Sequence, residues 1–172
     1  MRSDIINIDN KGNGFEAALS QTEAVAKFRG LDDKQALRLR MLTEELLSMV
    51  RSVTGDMAGT FWIDSEDKAF TLHLSTKTKM DAIKRYQFIS TSTDYKNEAA
   101  KGFIGMLRDK FETAMLSGEN SVFYDYTGTP LDEAPEDKEW DRYERSILRK
   151  LADEIKIGVR GGNVEMDVMK QF

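Results

Sequence analysis

The 172-residue chain contains no cysteine, one histidine and two prolines. Without cysteine there is no disulfide, no thiolate zinc site and no thiol nucleophile, and the single imidazole, His73, cannot supply a histidine-rich metal site. No apolar run reaches the length of a bilayer-crossing helix, and the opening residues Met1, Arg2, Ser3 and Asp4 lack the apolar stretch of a secretory signal. A cytosolic location is expected. An excess of basic residues is missing too: 25 Lys and Arg stand against 30 Asp and Glu, a formal net charge of -5, so nothing draws the chain to nucleic acid in general. Neither nucleic acid nor membrane is an expected partner.

What is present is the composition of an ordinary globular domain, 40% hydrophobic and 32% charged with both signs interspersed, at a length that supports one core. One domain spanning 1–172 is expected. Ile5 to Ile8 read as a strand, and Asn10, Gly12, Asn13 and Gly14 mark a turn. The capping-box spacing of Asn13 and Glu16 starts a helix near Phe15, with Phe15, Leu19, Thr22 and Ala26 on one face and a stop near Gly30. Asp32 and Gln35 repeat the start signal. The helix they open carries Leu39, Leu42, Leu46, Met49 and Val53 on its apolar face and closes at Gly55. Thr60 to Asp64 and Ala69 to Ser75 read as a hairpin joined by Ser65 to Lys68, with Phe70, Leu72 and Leu74 inward.

From Lys77 to Lys101 the periodicity weakens, leaving a short helix around Ala82 to Phe88 in what reads as a mobile loop. A second strong amphipathic pattern, Ala100, Phe103, Leu107, Phe111 and Ala114, predicts a helix that ends near Gly118. Both prolines and many acids fall between Asn120 and Asp137, an acidic insertion at about 119–137. A further helix carries Trp140, Tyr143, Ile147 and Leu151, with Asp141 and Arg145 one turn apart, and the chain finishes as a hairpin turning at Gly161 and Gly162. This order predicts an α+β fold, a two-layer sandwich in which helices cover one face of a mostly antiparallel mixed sheet.

The segment Leu39 to Val53, LRMLTEELLSMVRSV, resembles the N-box helix of the GHKL (histidine kinase-like) ATPase superfamily. The opening strand and two helices and the terminal hairpin from Asn163 to Phe172 are most similar to its bacterial anti-sigma factor serine kinases, across nearly the whole chain apart from the acidic insertion. The resemblance implies a Bergerat-type ATP-binding fold, with ATP as cofactor, Mg²⁺ held by an N-box asparagine and Glu45 as general base. It also shows departures. Met49 occupies the asparagine position, and a thioether is a poor ligand for a hard cation. Where the family has an Asp-x-Gly-x-Gly turn that receives adenine, this chain has Ser75, Thr76, Lys77, Thr78, Lys79 and Met80. Ala99 to Gly105 stand where the family's lid feeds a helix, and Lys101 with Gly102 at that helix start suits a phosphate or carboxylate.

The leading expectation is a regulatory protein that acts by binding a protein partner, as anti-sigma factors do, with nucleotide binding weakened, altered or lost. The alternatives are a working serine kinase or ATPase with Glu45 as base and Lys77 and Lys79 contacting phosphate, and a sensor of an anion or small molecule. A homodimer is compatible with each. Plainer readings stand beside these: Glu45 as a solvated surface carboxylate, Met41 and Met49 as core, His73 as structural, and Lys77, Lys79, Lys84 and Arg85 as a solvated basic patch. Lys101 and Gly102 also fit an ordinary helix start, and Trp62 and Trp140 fit packing against the sheet.

Overall fold

In a computed structural model that describes residues 1–55, 58–117 and 147–172, two helices follow one short strand and a five-stranded sheet is completed from both chain halves. The elements are β1 (Ile6–Asp9), α1 (Phe15–Phe28), α2 (Asp33–Thr54), β2 (Ala58–Glu66), β3 (Ala69–Lys77), α3 (Ala82–Thr91), a 3-10 turn (Glu98–Ala100), α4 (Gly102–Ser117), β4 (Glu154–Arg160) and β5 (Asn163–Gln171). The strands lie in the order β1-β2-β3-β5-β4 and every named pair is antiparallel. The α+β sandwich is thus observed. The expected acidic insertion, with Trp140, Tyr143 and the Asp141–Arg145 spacing, lies outside the described residues.

Alternation builds the core. Phe61, Leu74, Met166 and Ile157 form one inward row across four strands, and Ile63, Leu72, Val168 and Ile155 form the next. Against them α2 turns Leu39, Leu42, Leu46, Met49 and Val53, all buried. The Asp32–Gln35 capping box forms in both directions and Gly55 closes the helix. The turn of β2–β3 is tighter than expected, since Glu66 pairs with Ala69 and only Asp67 and Lys68 intervene.

Four expectations are corrected. The box at Asn13 does not form, because Gly14 is the N-cap at φ 82 and the Asn13 amide donates to Asp9 at 2.6 Å. A side chain at Gly14 would collide with the Asn7 carbonyl. Leu19 is only half-buried, and α1 packs through Ala18, Thr22, Val25 and Ala26. Met41 points outward and is exposed. Last, most of Lys77 to Lys101 is built structure rather than a loose loop: α3 runs to Thr91, and Arg85, Gln87, Phe88, Ile89, Thr91 and Ser92 are buried. Its Ser90, Thr91 and Ser92 hydroxyls bond back to carbonyls of the same helix, and the following segment covers the free edge of β4. Thr93 N donates to Ile155 O at 3.0 Å, and the Asn97 amide exchanges two 2.8 Å hydrogen bonds with the Val159 backbone.

Candidate functional site

The end of α2 and the end of β3 meet at one corner. The Thr54 carbonyl, in the last turn of α2, accepts from Thr78 Oγ1 at 3.4 Å and from Lys84 Nζ at 3.3 Å. Lys84 Nζ also donates to the Lys79 carbonyl at 3.2 Å. Unpaired carbonyls give a helix C-terminus partial negative charge, so this ammonium serves α2 as a cap. Lys77 and Lys79 are exposed at the same corner. Glu45 is half-buried on α2, nine residues before Thr54, which places it about 13 Å back along the helix axis. Met49, between them, is completely buried in the core.

Lys101 and Gly102 lie elsewhere. Lys101 pairs with Glu98 and is drawn toward Asp94 and Glu154, at the outer side of β4. The Glu98 hydrogen bond holds its ammonium above the usual lysine range. In the sheet, β4 is two strands from β3, about 10 Å. Gly102 takes φ 76 at the start of α4, a left-handed conformation that suits glycine. The structure therefore groups Lys77 and Lys79 with Lys84 and separates them from both Glu45 and the Lys101–Gly102 turn.

Arg85 does not belong to the surface patch. Its side chain is 2% exposed, Nη2 donates to Asp109 of α4, and Nη1 lies 3.9 Å from Glu112 without a hydrogen bond. The Asn97 amide also donates to Asp109. Glu112 accepts from the Gly161 amide at 2.9 Å in the terminal hairpin and has Arg108 at 3.7 Å. α3, α4 and the sheet edge are thereby tied through one buried charge. Sequence reasoning missed this cluster; its only signal was an acid pair on the polar side of an amphipathic pattern.

The opposite face of the sheet carries a second polar group. Ring stacking joins Trp62 and His73 at 4.9 Å, and His73 Nδ1 meets Asp167 at 2.7 Å. Because an ionised carboxylate only accepts, Nδ1 carries the proton in that contact. Nε2 lies 3.1 Å from Asp64 at an angle that makes no hydrogen bond. Arg2 grips Asp64 through paired contacts at 2.8 and 3.0 Å and holds that carboxyl below the usual range. Nearby, Glu98, Ala99, Lys156, Gly158, Glu165 and Asp167 line an open cleft of about 250 Å³. No group of three or more metal-ligating side chains occurs among the described residues, and no described helix is long and apolar enough to cross a membrane. No protein-family model matches the chain, and no curated protein matches its sequence.

Proposed function

We propose that the chain is a regulatory GHKL-like protein of the anti-sigma type, acting by protein–protein contact with nucleotide binding weakened, altered or lost. The observation that supports this most is the α2–β3 corner, where an ATP-binding relative needs an open, metal-bearing pocket. Here Met49 is packed in the core, and Lys84 holds the Thr54 and Lys79 carbonyls together. A nucleotide entering there would have to break the cap of α2. Calorimetric titration with ATP, with and without Mg²⁺, tests the reading, and no magnesium-dependent heat is expected. A ligand at a hundred times its Kd would raise unfolding free energy by about 2.7 kcal/mol, so thermal shift gives an independent check. Tight magnesium-dependent binding would sink the proposal.

One observation favours the kinase or ATPase reading: Glu45 is half-buried on α2 rather than fully solvated. If ATP is turned over, Glu45→Ala should abolish turnover and leave affinity largely intact. Unchanged turnover would remove Glu45 from the chemistry.

A further inference from the structure

α4 is mounted with its polar side inward. Gly105 is buried against the Ala99–Ala100 backbone, and Asp109 and Glu112, on the same side, are half-buried and paired with Arg85, Asn97, Arg108 and Gly161. The other side presents Phe103 and Ile104, each 77% exposed, with Leu107 at 61%, Phe111 at 64% and Met115 at 71%. Phe103, Leu107, Phe111 and Met115 recur every four residues and form one ridge along the helix.

We propose that this ridge is a homodimer interface, with α4 of one copy packing antiparallel on α4 of a second about a two-fold axis between Leu107 and Phe111. Area favours a protein-sized occupant. At roughly 200 Å² for each side chain, the two phenylalanines alone leave on the order of 300 Å² bare, and their apolar neighbours more than double that. Monomers ordinarily expose patches of about 300–600 Å², whereas a standard interface takes about 800 Å² from each partner.

Charge and symmetry favour a second copy over a different protein. The acids of α4 and Arg108 are paired with one another or with this chain's own groups, and the exposed Lys110 beside Leu107 and Phe111 adds a single cation, so the ridge offers no broad field of one sign to select an oppositely charged partner. Two copies each carrying a net charge of -5 can approach most easily through a strip with so little charge and none of it acidic. An isologous contact must be self-complementary, and a two-fold there sets Phe103 opposite Met115 and Leu107 opposite Phe111. The inference stands whether or not ATP binds, because none of these residues lies at the α2–β3 corner.

Sedimentation of the full chain from low to high micromolar concentration tests it. The expected species at high concentration has twice the 19.6 kDa chain mass. The double variant Leu107→Glu and Phe111→Glu should weaken association by about a hundredfold or more while keeping the far-ultraviolet dichroism and cooperative unfolding of the parent. A parent that sediments as a monomer throughout overturns the proposal, as does a dimer that survives the double variant. Loss of cooperative unfolding in the variant would also overturn it, since the ridge would then be covered by residues of its own chain.

Discussion

α2 and α4 have nearly the same apolar spacing and use it in opposite directions. In α2, Leu39, Leu42, Leu46 and Met49 are fully buried against the sheet and most of the charged residues are exposed. In α4 the apolar ridge faces water, and Asp109 and Glu112 turn toward the domain. Periodicity reports that a helix has two faces. It does not say which one the domain keeps. The choice for α4 follows from its neighbours: a buried guanidinium on α3 requires an anion, and only the polar side of α4 supplies one.

The largest expected effect belongs to α2. Leu46→Ala removes a fully buried side chain and should lower unfolding free energy by about 2–5 kcal/mol in urea titration. A loss below about 1 kcal/mol would mean that α2 is no better packed than α4, and the contrast would fail. Next comes Arg85→Met, which strands Asp109 without its cation while Glu112 keeps Arg108. Breaking a buried pair costs about 3–5 kcal/mol, and because these acids keep 26% and 22% exposure the lower end is expected. Adding Asp109→Leu should recover part of the loss, and a double-mutant cycle measures the coupling. Strict additivity would show that Arg85 does not orient α4 through Asp109.

These differences explain how far the sequence could be read. α2, its capping box, the two hairpins and the inward rows rest on neighbours a few residues apart, so periodicity and turn chemistry reach them. Arg85 meets Asp109 24 residues away, Asn97 meets Val159 62 away and His73 meets Asp167 94 away. No local signal encodes such pairings. Ser90, Thr91 and Ser92 weakened the apparent pattern of α3, yet their hydroxyls bond back to carbonyls of that same helix. The candidate residues Glu45, Lys77, Lys79, Lys101 and Gly102 were legible as positions. Their grouping was not, because it depends on strand order and on where Lys84 spends its charge.

A smaller test sharpens the local side of the comparison. Asp32 accepts from the Gln35 amide at 2.8 Å, and Gln35 accepts in return from the Asp32 amide at 3.2 Å. Asp32→Ala should therefore destabilise the protein by about 1 kcal/mol in thermal or urea unfolding. The position of α4 rests on Arg85 and Asn97, which reach Asp109 from outside the helix. An Asp32→Ala loss as large as that of Leu46→Ala would show that the end of α2, rather than its core face, holds it in place.

The smallest expected effect is on the ridge itself. Leu107→Ser exchanges an exposed leucine for a polar residue and, in dilute protein, should change unfolding free energy by no more than about 0.5 kcal/mol. The same substitution at α2, Leu46→Ser, should cost several times more, since it leaves a cavity and buries a hydroxyl. Concentration then becomes the informative variable. If the ridge is used between copies, association stabilises the parent by mass action, so its Tm rises with protein concentration while that of Leu107→Ser stays nearly flat. Parallel concentration dependence in the two proteins would place the contact elsewhere. A large loss from Leu107→Ser in dilute solution would show that α4, like α2, keeps its apolar side within its own chain.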